Sequence, residues 1–151
     1  MRIGSILENQ KIEKRIAVTP EIVKKYTSLG FEICLSENYG SHLGIKDQEY
    51  IKLGVKISKD ESEVLSSSDI IIQLGMLSEE KSLKIKENQT LIGVLNPYQN
   101  KEKLENLVKK KINIFSLELL PRITRAQSMD ILSSQANLAG YKAVIESFTN
   151  F

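Results

Sequence analysis

The chain has few of the residues that build metal and redox sites. Its 151 residues include one cysteine, Cys34, one histidine, His42, and no tryptophan. A single cysteine excludes a disulfide within the chain, as expected of a reducing compartment. One Cys and one His also supply too few soft ligands for a transition-metal site. We interpret Cys34, inside the apolar segment FEICL, as a buried inert thiol, and His42 as a surface-loop residue.

Phosphate-binding glycine loops and long apolar runs are missing as well. The eight glycines are scattered and form neither G-x-G-x-x-G nor a P-loop, so the chain carries no dinucleotide fingerprint. No apolar run approaches the ~20 residues that a membrane helix needs, and MRIGSILENQK lacks the features of a signal peptide. The net charge of +2 gives no electrostatic footprint for nucleic acid. We therefore expect a soluble chain, with a membrane-attached partner left open.

The chain does contain a regular alternation of short apolar runs and helical patterns. Thr19 and Pro20 form a helix start, and Gly30 is placed to end that helix. The other helix signals cover residues 47–53, 61–65 and 101–110. Two of the apolar runs are nearly continuous, which is typical of parallel strands covered on both faces. The strand candidates are residues 2–7, 31–36, 55–58, 69–74, 90–95 and 112–117.

This alternation predicts the fold class. Strands separated by helices imply right-handed crossovers and a parallel sheet. We predict one α/β domain, a flavodoxin-like three-layer parallel sheet with a long C-terminal helix. Ligands of such sheets bind beyond the carboxyl ends of the strands, which directs attention to the loops 8–17, 75–79 and 96–100.

The last segment has a different pattern. From Ser128 onward, apolar residues recur at three- and four-residue steps, which predicts a helix of about 20 residues. Neither glycine nor proline stops this helix before the chain ends. We interpret such an ending as a sign that the chain continues elsewhere or that the helix docks on another domain.

Polar residues precede this helix in the stretch PRITRAQSMDILSSQANLAGYKA. It brings Arg122, Gln127, Asp130 and Ser133 close together in sequence. One interpretation is a capped, solvated helix end, with Arg122 in water. The other is a polar grip on a ligand outside this chain. Chemistry alone leaves both open.

Three segments together are distinctive. They are RIGSILENQKIEKRIAVTPEIVKKYTSLGFEI, LNPYQN and PRITRAQSMDILSSQANLAGYKAVIE. With these motifs, residues 1–151 resemble the N-terminal domain of the alanine dehydrogenase/transhydrogenase family. The third motif is similar to a signature of the α, NAD(H)-binding, subunit of proton-translocating NAD(P)+ transhydrogenase.

The resemblance implies the first of two subdomains in an NAD-binding protein. A Rossmann NAD-binding domain, absent from these 151 residues, would follow and hold most of NAD(H). Hydride would pass directly to NADP+ on a separate NADP(H)-binding component, coupled to proton movement through a membrane component. The resemblance also implies a homodimer on the cytoplasmic side of the inner (plasma) membrane, and an isolated chain that is inactive.

By motif position, the resemblance assigns cofactor binding to Arg122, Gln127 and Asp130, with Ser133 behind them. Gln127 can pair with the nicotinamide carboxamide, and Arg122 suits a phosphate or carboxylate. Asp130 can orient Arg122 or the ribose hydroxyls. None is assigned acid–base chemistry, because the cofactor carries the reaction. We therefore predict no catalytic side chain in this chain.

Arg15 is a further candidate. In alanine dehydrogenases an arginine at this motif position binds the substrate carboxylate. In this chain Arg15 could shape the cleft, pair with an acid such as Asp130, or form only a surface salt bridge.

Two departures from the dehydrogenase pattern separate the remaining hypotheses. Alanine dehydrogenases carry a lysine and a histidine where this chain has Gln73 and Asn96. Neither residue titrates near neutral pH, which argues against amino-acid dehydrogenation. The alternatives are an alanine dehydrogenase-like fragment, or a non-catalytic module that kept the fold and lost the chemistry.

Overall fold

Six short strands form one sheet in which every neighbouring pair is parallel. The structure is a computed structural model and describes residues 1–150. It confirms the predicted α/β fold with a parallel sheet and a long C-terminal helix. The strands are β1 Arg2–Ser5, β2 Glu32–Ser36, β3 Lys56–Ser58, β4 Ile70–Gln73, β5 Thr90–Gly93 and β6 Asn113–Ser116.

All the predicted helices are present, together with one that the sequence pattern did not predict. The extra helix has five residues and no apolar stripe, so only its Ser78 cap announced it. The final helix begins at Ile131 rather than Ser128, because Thr124–Met129 forms a 3-10 helix. The helices are α1 Pro20–Ser28, α2 Asp47–Lys52, α3 Glu61–Ser67, α4 Glu79–Leu83, α5 Lys101–Lys109 and α6 Ile131–Asn150.

The strand order is β3-β2-β1-β4-β5-β6. The chain therefore builds the sheet outward from β1 to β3, then returns to the other side of β1 and continues outward to β6. Ile3 of β1 lies opposite Ile70 of β4. This is the doubly wound arrangement, in which the switch of direction between two central strands opens a crevice at their carboxyl ends.

Two hydrophobic clusters cover the two faces of the sheet. Successive residues of β2 separate them, because Ile33 and Leu35 join one cluster while Cys34 joins the other. The first cluster packs under α1 and α2, where Val23 and Tyr50 are fully buried. The second includes side chains of α3 and α5. Helices thus cover both faces, giving three layers, and Cys34 is the buried thiol that the sequence predicted.

The long helix α6 lies outside both clusters. It packs mainly against the 3-10 turn Leu117–Leu119, and every residue from Leu132 to Asn150 is exposed. Its large apolar side chains include Tyr141 at 70% and Phe148 at 82% exposure. Among residues 1–150, no helix has both the length and the apolar content required to cross a bilayer.

Candidate functional site

A cavity of about 390 Å³ lies where α6 begins. All four residues that the sequence singled out as cofactor-binding line it. Its wall consists of Arg122, Ile123, Thr124, Ala126, Gln127, Asp130 and Ser133. Of these only Ala126 is buried, so the turn is anchored by one small side chain while the polar groups face outward.

Asp130 caps helix α6. Its Oδ1 accepts the backbone N–H groups of Leu132 (3.0 Å) and Ser133 (3.1 Å). Its Oδ2 accepts the Ser133 hydroxyl at 2.6 Å. These hydrogen bonds, led by that of the Ser133 hydroxyl, lower the pKa of Asp130, and the positive charge of Arg122 adds to the effect. Asp130 and Ser133 therefore build the helix end and the cavity wall at the same time.

Arg122 and Gln127 are in a different situation. Both are exposed, and within residues 1–150 neither side chain forms a hydrogen bond or an ion pair. The guanidinium and the amide keep their full set of donors and acceptors available at the cavity mouth. The cavity thus joins two polar groups without partners to two that are already engaged in capping.

A second polar cluster lies at the crevice between β1 and β4. The Leu74 N–H donates to Glu8 Oε1 at 2.5 Å, and Gln73 Nε2 donates to the same oxygen at 3.2 Å. Gln73 Oε1 accepts from the Ile6 N–H (2.8 Å) and from the Ser5 hydroxyl (3.0 Å). The crevice between the central strands is therefore bridged by a carboxylate and a buried amide.

Sequence reasoning missed Glu8. The available signal was an acid placed three residues after a central strand, at the edge where doubly wound sheets receive ligands. Its partner atoms lie 65 and 66 positions further along the chain, so only the strand order brings them together. Gln73 was noted for the chemistry it lacks, whereas the structure shows it buried, at 2% exposure, and fully engaged.

The loop 8–17 is held at several points. The buried Tyr39 hydroxyl accepts the N–H groups of Ala17 (3.1 Å) and Val18 (3.2 Å). His42 Nε2 lies 2.8 Å from the carbonyl oxygen of Lys14. The interpretation of His42 as a plain surface residue was incomplete, because the side chain is partly buried and helps to fix this loop.

Arg15 does not pair with Asp130, one of the partners considered for it. Its Nε and Nη2 donate to the two carboxylate oxygens of Glu13 at 2.8 and 2.7 Å. The partner is two residues away on the same loop, which makes the pair local. Arg15 does not line the cavity at α6, so the structure separates it from the four predicted residues.

The second departure, Asn96, follows β5 in a left-handed conformation with φ 47°. Its N–H donates to Glu118 Oε1 at 2.5 Å, and its side chain is exposed. In the part of the chain that the structure describes, His, Cys, Asp and Glu nowhere form a group of three suited to a metal ion.

These features define a doubly wound parallel α/β domain with a polar cavity at the start of its last helix. The family model described as "Alanine dehydrogenase/PNT, N-terminal domain" matches residues 5–139, most of the chain. The chain belongs to this family.

The relatives are transhydrogenase components. The first portion of NAD(P) transhydrogenase subunit alpha from Rhodospirillum rubrum is 40% identical over all of this chain and 41% of its own length. Its namesake in Rickettsia prowazekii is 38% identical, over 97% of this chain and 39% of its own length. A solved transhydrogenase of Sinorhizobium meliloti superposes with a TM-score of 0.86 at 38% identity, covering 95% of this chain and 43% of that one. The chain thus spans about two-fifths of the length of these relatives.

Proposed function

We propose that this chain is the first subdomain of the NAD(H)-binding α subunit of a proton-translocating NAD(P)+ transhydrogenase. Its role there is to position the nicotinamide of NADH for direct hydride transfer to NADP+. The observation that carries the proposal is the similarity of the whole chain to the first portion of transhydrogenase subunit alpha. The gathering of Arg122, Gln127, Asp130 and Ser133 around one cavity supports it.

The exposed side chains of the cavity suit a positioning role. Hydride transfer requires the nicotinamide ring in close contact with its acceptor and in one rotational state. The Gln127 amide can match the donors and acceptor of a carboxamide, and Arg122 offers a charged fork to a phosphate or carboxylate. Because Asp130 and Ser133 are tied to the base of α6, they fix the wall against which a ring would rest. The cofactor supplies the hydride, and these side chains orient it.

The proposal includes the rest of the assembly. A Rossmann domain would hold the adenosine and pyrophosphate, since this chain has no glycine fingerprint. NADP(H) would bind a separate component, and a membrane component would carry the protons. We place the chain on the cytoplasmic side of the inner (plasma) membrane within such a complex, as part of a homodimer.

The alternative, an amino-acid dehydrogenase fragment, is disfavoured by Gln73. A lysine at this position could titrate, whereas the amide is buried and hydrogen-bonded on both of its ends. The position therefore supports the polar cluster between β1 and β4 and offers no proton to a substrate.

A chimera tests the proposal. Residues 1–151 would replace the matching segment of the Rhodospirillum rubrum subunit, and hydride transfer from NADH would be followed with the NADP(H)-binding component present. We expect transfer that falls in Gln127→Ala and stays unchanged in Gln48→Ala, an exposed amide on α2. A folded chimera that instead oxidises L-alanine with NAD+ would establish the dehydrogenase alternative. Equal rates in both variants would remove Gln127 from the site.

A further inference from the structure

The crevice at the carboxyl ends of β1 and β4 is where doubly wound sheets receive ligands. In this chain the side chain of Glu8 occupies it. Oε1 accepts the Leu74 N–H at 2.5 Å, and the Gly75 N–H also faces the carboxylate. Consecutive backbone N–H groups of this kind form the concave anion sites found in many phosphate-binding loops. The donors that would hold a ligand's anionic group are therefore taken by a residue of the chain itself.

The surroundings of the Glu8 carboxylate are built for this contact. Gln73 is oriented by Ile6 and Ser5 so that its N–H₂ group points to Glu8 Oε1. Lys81 stabilises the negative charge from the α4 side. Glu13, on the same loop as Glu8, opposes it, and Arg15 neutralises Glu13 through two hydrogen bonds. The charges around the carboxylate are thus balanced by pairs.

We propose that Glu8 is an internal anion that fills a carboxylate-binding cradle made by the Leu74 and Gly75 amides, and that it excludes external carboxylates and phosphates from the crevice between β1 and β4. By doing so it ties the loop 8–17 to the loop 75–79. The cavity at α6 is then left as the place where this subdomain meets a ligand. The cradle is a property of the chain alone and stands apart from the hydride-transfer role.

Burial is consistent with a tightly held group. Desolvation raises the pKa of Glu8, and this effect outweighs the opposing hydrogen bonds from Leu74 and Gly75. A carboxylate with no function in this crevice would reach solvent, as the exposed Glu21 on α1 does.

Chemical rescue in the full chain tests whether the cradle binds anions. Glu8→Ala removes the carboxylate and leaves the two amides open. We expect its thermal midpoint to fall by roughly 5 °C or more, because hydrogen bonds to a charged group are lost. Formate, and more weakly inorganic phosphate, should restore part of that loss by binding the open amides. Neither anion should stabilise the wild-type chain or Glu21→Ala beyond its general salt effect. Equal responses in all three proteins would overturn the proposal.

A second variant covers the case in which Glu8→Ala does not fold. Glu8→Gln keeps the side-chain volume but removes the charge. We expect the amide proton resonances of Leu74 and Gly75 to move upfield relative to wild type, while those of the Glu21→Gln control stay in place. In the wild-type chain both resonances should also follow the titration of Glu8. If Glu8→Gln left both resonances unchanged, the cradle would be disproved even without the rescue experiment.

Discussion

The sheet body, residues 1–116, and the terminal segment, residues 121–150, solve different problems. In the sheet body, two clusters of fully or nearly fully buried side chains hold six strands between helices. In the terminal segment, Ala126 is the one residue below a tenth exposed among those that the structure describes. The residues assigned to cofactor binding all lie in the second region. The part of the chain with the fewest internal contacts therefore carries the proposed function.

This difference shows where stability and function are placed. Local opening is least costly where few apolar contacts and many exposed hydrogen bonds occur, and ligand-binding segments are commonly drawn from such regions. Helix α6 exposes apolar side chains all around its axis, a pattern expected of a helix covered on several sides by other protein. We infer that the sheet body folds by its own contacts and that the terminal segment acquires order from a partner.

The largest expected effect is on core stability. Leu91→Ala, at a fully buried position of β5, should lower the free energy of unfolding by about 2–5 kcal/mol. Leu138→Ala, the same change at 60% exposure on α6, should alter it by less than about 0.5 kcal/mol. Urea unfolding of the two variants measures both. Similar losses would show that α6 is an integral part of the core and would erase the contrast between the two regions.

The next effect is on hydride transfer in a complete enzyme containing this segment. Gln127→Asn or Asp130→Asn should slow transfer roughly 5- to 150-fold, with much less loss of NADH affinity, because these side chains align the ring in the transition state. Arg122→Ala should lower both rate and affinity. Asn caps helices about as well as Asp, so Asp130→Asn separates the ligand role from the cap. Stopped-flow transfer rates beside NADH titrations distinguish the two quantities. Proportional losses would define a general nucleotide clamp, and no losses would leave only the structural role.

Association through α6 should be the third effect. The isolated chain should dimerise, or show fast amide exchange over residues 135–150, because the apolar surface of the helix lacks cover within the chain. Replacing Leu138 and Tyr141 with serine should shift sedimentation toward the monomer. The Leu43→Ser change, at an exposed leucine of the sheet body, is the control. A strict monomer with slow exchange throughout residues 135–150 would contradict this expectation.

A smaller effect concerns pH at the base of α6. The pKa of Asp130 is lowered by the Ser133 hydroxyl, so its contribution is present above the ordinary value of 3.8 and is lost as pH falls through the depressed pKa. The helical signal of the first turn of α6 should therefore decline only in strong acid. Asp130→Asn should show no such step, which can be followed by the Ser133 amide resonance. A step that persisted in the Asn variant would assign the titration to another group.

The smallest expected signal is NADH binding by this chain alone. Most dinucleotide affinity comes from a pyrophosphate held on a glycine-rich helix start, which this chain lacks. Calorimetric titration should show weak heat or none. A micromolar dissociation constant would mean that the terminal segment binds the cofactor without a Rossmann domain.

Much of the fold could be predicted because its signals are local. The Thr19 cap, the glycines after α1 and α2, and the apolar runs of the central strands each lie within a few residues of the element they define. Helix α4 was missed because five residues are too short to show a stripe. The same locality explains why the cavity residues, all within 122–133, could be grouped from the sequence.

The remaining contacts depend on strand order, which no local pattern encodes. Glu8 and Leu74 meet because β4 pairs with β1, although β2 and β3 intervene in sequence. Arg15 shows the opposite error, since a distant partner was considered while Glu13 lay two residues away. Sequence reasoning was therefore weakest where it had to choose between near and far partners for a charged group.

The return of the chain from β3 to β4 has a consequence for synthesis on the ribosome. Strand β1 gains its β2 neighbour early, but its other edge stays open until residues 70–73 have emerged. At typical elongation rates this is a delay of roughly 2–8 s after β2 has been made. During that interval an unpaired central strand edge is exposed and available to other chains. The nascent chain should be most prone to misassembly in this interval, and translation pauses before residue 70 should increase the fraction captured by chaperones.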